Sequence, residues 1–293
     1  MQFEKLDIIY KNLYEHYTNK QYQCSEASFS NMYIWRNETN VYIKVIEDML
    51  VLRVFIDGKY KFVMPFGDAN NYCRCIKELY NLCKASNIEL IIIGADYQFI
   101  NSIKDLGLDF TYEQDRNAQD YIYLSENLSA LSGKKLHSKR NHVNKFKSLY
   151  TYEYVDLKEN MLDECFEKTK AWMHSKYEGN QEKYKKELLT LKDLFENFSY
   201  FNLFGGAIYI EGTLIAYSIG EYLSNDTALI HVEKADTDYE GSFAIINYEF
   251  ANRLKANYKY INREEDMGIE GLRKAKLSYR PEYLTDKLIC VFK

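Results

Sequence analysis

Residues 201–235 read FNLFGGAIYIEGTLIAYSIGEYLSNDTALIHVEKA. Apolar and β-branched positions fill Phe201–Ile210 and Thr213–Tyr222, and Glu211-Gly212 between them is a two-residue hairpin signal. Thr227–Glu233 is a third run of the same kind, so the stretch predicts a three-strand meander. Downstream, Ser242–Ala256 sets Ile246, Phe250 and Leu254 on one helical face. Tyr258–Asn262 then reads as a short strand, Ile269–Ser278 as a helix and Leu288–Phe292 as a last strand. Upstream lie two helical patterns, Leu162–Met173 and Glu182–Phe198.

The same order stands earlier in the chain. Residues 3–37 are helical in pieces. Val41–Ile46, Met49–Ile56 and Lys59–Pro65 are strands, the last two joined at Asp57-Gly58. Asn70–Ser86 is a helix with Ile76, Leu79 and Cys83 on one face, Glu89–Ile93 a buried strand, and Tyr97–Leu106 a helix stopped by Gly107. Phe110–Tyr112 and Asp120–Leu124 complete the copy. The expectation is an α/β chain of two tandem domains, residues 1–130 and 131–293, each with a mixed central sheet.

The chain is long enough for two cores, at 293 residues. Its 38 Lys and Arg against 43 Asp and Glu give a net charge of −5, which by itself favours no polyanionic partner. Two prolines and 13 glycines exclude long disordered linkers. No apolar run approaches the roughly 20 residues of a membrane span, and Met1–Tyr10 lacks the pattern of a secretory signal. Six cysteines without paired clips read as reduced structural thiols of a cytoplasmic protein, and no metal site is expected. The 28 tyrosines read as compositional bias.

The order of elements is similar to the GNAT fold of N-acyltransferases, in which central strands splay and an acyl donor enters the notch. In that fold a glycine-rich turn before the helix after the meander meets the donor's phosphates. Here the turn is Asp238-Tyr239-Glu240-Gly241-Ser242, with one glycine. A helix N-terminus there still offers free N–H groups, so Gly241 and Ser242 are candidate donors, but a cradle for a coenzyme A pyrophosphate is not evident.

Three segments carry candidate chemistry. Residues 133–147 hold six Lys and Arg and no acid. Leu136, Val143, Phe146 and Tyr150 share one face of a basic connecting helix at 133–149, leaving Lys134, Lys135, Lys139, Arg140, His142 and Lys145 to grip a polyanion. A solvated connecting helix fits the same pattern. Residues 261–279 open with Arg263-Glu264-Glu265-Asp266 at a strand end, where open α/β sheets place ligands. Glu265 or Asp266 is a candidate general base; Arg263, Arg273 and Lys276 are candidate substrate-binding residues, of which Arg273 and Lys276 can meet a phosphate or neutralise the acids. An acidic turn capping a helix is the structural alternative. In Ile230–Asp236, alternation puts His231 and Glu233 on one strand face, as a pair able to orient an amine and accept its proton.

With Ser28–Trp35, Gly133–Phe146, Ile230–Asp236 and Asn262–Tyr279 in view, the chain resembles, from about Gln23 to Leu288, the family built on the C-terminal domain of phosphatidylglycerol lysyltransferase. The resemblance implies two GNAT-like halves, a kinship with Fem-type peptide-bond formers, and an aminoacyl-tRNA donor. The family's strand end places an acid followed by an arginine; Glu233 stands for the acid, and Asp236 falls near the arginine's place. The implied activity is transfer of an aminoacyl group to an amine or hydroxyl, with Glu233 or Glu265 as base. The acceptor is a small molecule or lipid headgroup, and the basic helix, Arg273 and Lys276 hold a tRNA acceptor end. Two other readings stay open: an acyl-CoA-dependent N-acetyltransferase acting on a small polar amine, and a non-catalytic module that binds RNA or a partner.

Overall fold

A computed structural model of the protein describes residues 2–176 and 180–293. In chain order, β1 (Glu4–Lys5), α1 (Lys11–Thr18) and α2 (Phe29–Ile34) precede a meander of β2 (Tyr42–Ile46), β3 (Met49–Ile56) and β4 (Lys59–Val63). Asp57 and Gly58 both take positive φ, 54° and 76°, the two-residue turn whose twist matches antiparallel strands. Next come β5 (Phe66–Gly67), α3 (Tyr72–Ala85), β6 (Ile91–Ala95), α4 (Tyr97–Ile103) and β7 (Phe110–Gln114). The helical face expected from spacing is the buried one: Cys75, Ile76, Leu79 and Cys83 of α3 pack with Met49, Val51, Phe62 and Ile92 of the sheet.

The chain continues as β8 (Tyr121–Leu124), α5 (Ser125–Ala130), α6 (His137–Leu149), β9 (Glu153–Asp156), α7 (Leu162–Lys176) and α8 (Gln181–Glu196). The second meander is β10 (Phe204–Ile210), β11 (Thr213–Ser224) and β12 (Thr227–Ala235), with Glu211 and Gly212 again at φ 49° and 74°. Then follow α9 (Ser242–Leu254), β13 (Tyr260–Asn262), α10 (Glu270–Ser278), β14 (Tyr283–Leu284) and β15 (Leu288–Phe292). Ile245, Ile246 and Phe250 of α9 and Leu214, Ala216 and Tyr217 of β11 are buried in this half. Strand β9 carries too weak an alternation to stand out in the sequence.

Both sheets are mixed. One runs β1-β2-β3-β4-β6-β15-β7, with β5 paired to β3; the other runs β14-β8-β13-β12-β11-β10-β9. Two strands therefore sit elsewhere than expected. Leu288–Phe292, read as the last strand of the second copy, lies in the first sheet, antiparallel to both β6 and β7. Tyr121–Leu124, read as part of the first copy, pairs with β13 in the second sheet. A run of strand-forming residues encodes its conformation locally, whereas its partners are decided by non-local packing. The chain accordingly divides into a unit of Met1–Asp120, Glu265–Gly268 and Leu284–Lys293 and a unit of Tyr121–Glu264 and Ile269–Tyr283, neither of them contiguous as 1–130 and 131–293 are.

In the first unit, Lys287 just before β15 is wholly buried; its ammonium pairs with Glu26 and lies 3.6 Å from Asp120 Oδ2. Asp120 also accepts the Ser25 N–H at 2.7 Å and the Ser25 hydroxyl at 3.0 Å. Burial pushes the nearby Cys24 thiol up to about 12, against the pull of Lys287. Cys75, Cys83, Cys165 and Cys290 are buried free thiols. Among the described residues no helix is long and apolar enough to cross a membrane.

Candidate functional site: a bridged notch between parallel strands

Strands β12 and β13 pair in parallel over three positions, Thr227↔Tyr260, Ala228↔Ile261 and Leu229↔Asn262, and then part. A bulge on β12 starts the divergence. Ile219 faces Val232 and Gly220 faces Ile230, so His231 is the extra residue and its side chain is re-aimed. Gly220 permits this approach, because a Cβ there would stand 2.4 Å from the Leu229 carbonyl oxygen. Beyond Asn262 the chain leaves β12. Glu264 takes φ 55° while its N–H donates to Asn262 Oδ1 at 2.7 Å, and the Arg263 N–H donates to the Tyr121 carbonyl at 3.0 Å.

Two ion pairs bridge the resulting notch. His231, with 1 % of its side chain exposed, meets Glu264 Oε1 at 2.9 Å through Nδ1 and Glu221 Oε1 at 3.1 Å through Nε2. Burial alone would strip its proton, but hydrogen bonds to the two carboxylates outweigh burial and push the imidazole up to about 10. Arg263 Nη2 donates to Glu233 Oε1 at 2.9 Å, and Asn247 Nδ2 from α9 donates to Glu233 Oε2 at 3.2 Å. Burial opposes the Arg263 charge and Glu233 more than restores it.

Aromatic rings frame the guanidinium. Its carbon lies 5.1 Å from the Tyr279 ring centroid and 5.7 Å from that of Tyr123. Lys139 Nζ reaches the same Tyr279 ring at 4.4 Å. Burial, and then repulsion from Arg263, lower the Lys139 pKa, while Glu233 opposes both. Burial pushes the Tyr279 phenol up to about 12 against the pull of Arg263. Arg263 Nη1 and Asn247 Oδ1 are buried and, among the described residues, have no hydrogen-bond partner. Both residues line, with Glu233, Ile230, Phe250 and Ile261, a cavity of about 10 Å³. That is space for about one water molecule, so the notch holds an unspent donor and an unspent acceptor beside a carboxylate.

Several expected residues have other duties. His231 is a buried cation rather than a proton acceptor for an amine, because both ring nitrogens face carboxylates. Lys276 Nζ donates to the carbonyls of Arg263 at 2.6 Å and Glu264 at 3.1 Å, so it pins the loop after β13 instead of facing a phosphate. The Ser242 N–H is spent on the Tyr239 carbonyl at 3.1 Å and its hydroxyl on the Asp236 carbonyl at 2.6 Å. Gly241 is a packing residue, since a Cβ would stand 2.9 Å from the His142 carbonyl oxygen of α6. Asp266 is wholly buried within the first unit, 3.3 Å from Arg116 Nη1, and accepts the Gly268 N–H at 2.9 Å, which suits a structural turn. Glu265 is half-buried in that same unit. Arg273 is half-buried on α10.

The basic helix splits by role. Lys134, Lys135 and His142 are exposed, Lys139 turns toward Tyr279, Arg140 donates to the Leu131 carbonyl at 2.6 Å, and Lys145 pairs with Glu240 at 2.9 Å. Sequence reasoning did not single out Glu221, Glu264, Asn247 or Tyr279. Glu264 and Tyr279 lie inside the stretch that carried the resemblance, whereas Glu221 and Asn247 gave no local signal.

Comparison with known proteins agrees with this architecture. A conserved protein of unknown function from Bacteroides thetaiotaomicron has a crystal structure that is 33 % identical and covers 100 % of both chains, with a TM-score of 0.92. The C-terminal domain of a putative lysylphosphatidylglycerol synthetase from Agrobacterium fabrum is 10 % identical over 97 % of this chain and 92 % of that one, at TM-score 0.69. L-PGS from Bacillus licheniformis is 14 % identical over 98 % and 92 %, at TM-score 0.68. The fold is therefore the expected pair of tandem GNAT-like domains. The family model described as phosphatidylglycerol lysyltransferase, C-terminal, matches residues 18–291, and the chain belongs to that family.

Proposed function

We propose that the chain is an acyltransferase that moves an aminoacyl group from an aminoacyl-tRNA to an amine or hydroxyl, with the notch of the second unit as its centre. One observation carries the reading: Arg263 Nη1, a donor without a partner among the described residues, lies beside the ion-paired carboxylate of Glu233 where β12 and β13 part. In this role the acceptor nitrogen or oxygen attacks the ester carbonyl carbon, and Glu233 accepts its proton. The Arg263 Nη1–H donates to the carbonyl oxygen as it gains charge. The tetrahedral adduct collapses by breaking the ester C–O bond, and the proton on Glu233 passes to the leaving ribose oxygen. Lys139 supplies a cation for the donor's terminal phosphates, and the exposed Lys134, Lys135 and His142 extend that contact. An acyl-CoA donor is less well served, because the amide and hydroxyl of Ser242 are committed within the turn before α9.

The test is transfer of label from a charged tRNA pool to amines, hydroxyl compounds and lipid headgroups by the purified chain. Glu233→Gln is expected to slow transfer about 100-fold or more, and Arg263→Lys to raise the barrier by about 2.7–4 kcal/mol. Transfer from acetyl-coenzyme A alone, or tRNA binding without transfer and indifferent to Glu233→Gln, overturns the proposal.

A further inference from the structure

The first unit presents an aromatic and basic sheet face. Register sets Tyr42 opposite Arg53 and Phe55 opposite Tyr60. Side chains two apart share a face, so Lys44 joins Tyr42, Arg53, Phe55 and Tyr60 on one side of β2, β3 and β4. Inward along this face, Met49, Val51 and Phe62 are core residues packed with α3. Outward, Phe55 and Tyr60 are each 40 % exposed, with ring centroids 5.2 Å apart.

Arg53 stands within a cage of rings. Its guanidinium carbon is 5.0 Å from the centroid of Phe3, 4.7 Å from Tyr42 and 4.8 Å from Tyr60. Lys44 Nζ lies 5.9 Å from the same Phe3 ring. Among the described residues Arg53 Nε is buried without an acceptor, and no carboxylate pairs with Arg53 or Lys44. The opposite face differs: Lys59 pairs with Glu89 at 3.0 Å and Lys61 with Asp57 at 3.1 Å. In a chain with more acids than bases, two neighbouring cations with no counter-ion among the described residues, beside two exposed rings, form a surface that favours an anion. Cation–π contacts hold the guanidinium plane in place but do not neutralise it.

The missing complement is an anion that also carries a flat apolar face. A single-stranded nucleic acid has both, with phosphates for the cations and bases for the rings. A lipid surface offers the charge without a plane to stack. We propose that the face formed by Tyr42, Lys44, Arg53, Phe55 and Tyr60 binds single-stranded nucleic acid, phosphate on Arg53 and Lys44 and a base on the Phe55–Tyr60 rings. This site lies in the first unit and stands independently of acyl transfer in the second.

The experiment uses the full chain and a labelled 12-nucleotide single-stranded RNA that carries no aminoacyl group, followed by fluorescence anisotropy. Wild type is expected to bind with an affinity that falls as salt rises. Phe55→Ala with Tyr60→Ala is expected to weaken binding about tenfold or more. Arg53→Lys, which keeps the charge but loses the plane, weakens it as well. In Phe55→Trp the indole emission is quenched when the RNA is added. An unchanged affinity for the double alanine variant, an unquenched indole, or ring-dependent binding to anionic phospholipid vesicles but not to RNA overturns the proposal.

Discussion

His231 predicts a stability profile that falls between neutral and alkaline pH. An imidazole in water titrates near 6.5, and this one is held near 10 because Glu221 and Glu264 outweigh the cost of its burial. A group whose pKa is raised by folding stabilises the native state fully below its unfolded pKa. The contribution drains away as pH rises through the folded value. The window here runs from about pH 6.5 to about 10. At about 1.36 kcal/mol for each pH unit, that gap is worth about 5 kcal/mol at most. Glu221 is 12 % and Glu264 20 % exposed, so solvent trims the figure. A loss of about 3–5 kcal/mol is also the range for leaving a buried charge without its partner. The His231→Gln variant, which keeps a polar side chain and loses the cation, should therefore be about 3–5 kcal/mol less stable than wild type at pH 6. It should match wild type above pH 10. Urea unfolding across this range, with the imidazole followed by NMR, makes both measurements. An imidazole titrating near 6.5, or parallel pH profiles for the two proteins, would refute the reasoning.

Two further outcomes follow from buried contacts. Lys287→Ala strands Glu26 and Asp120 and is expected to cost about 3–5 kcal/mol, read as a lower melting temperature. The raised pKa of Lys287 means that its contribution persists through neutral pH and disappears only in strong alkali. Gly220→Ala drives a methyl against the Leu229 carbonyl oxygen and should cost about 1–3 kcal/mol. If the bulge positions His231, the same variant also moves the imidazole pKa away from 10; an unmoved pKa would separate the bulge from the site.

The meanders were legible because hairpins are local. Asp57-Gly58 and Glu211-Gly212 announce turns that the backbone adopts, and the spacing of Cys75, Ile76, Leu79 and Cys83 announces the buried face of α3. Strand partnership was not legible, since nothing in Leu288–Phe292 says which sheet it joins. The same division runs through the notch. His231, Glu233 and Arg263 stood out by residue type and place. The charge of His231 depended on Glu221 and Glu264, 10 and 33 positions from it in the chain. Charge alone misled at Lys276, whose ammonium serves two backbone carbonyls. The tyrosine excess, read as bias, includes the two rings around Arg263.

The place of β15 fixes an order of events during synthesis. Cys290 pairs with Ile92 on one side and Tyr112 on the other, so β6 and β7 acquire the strand between them only after about 180 further residues have been made. At about 5–20 residues per second, the nascent first unit waits roughly 10–40 s with two open strand edges. The second unit, although made later, can close its own sheet first. A message that stops short of residue 288 would therefore spoil the half of the protein translated earliest, and that half is the one most exposed to aggregation and most dependent on chaperones while it waits.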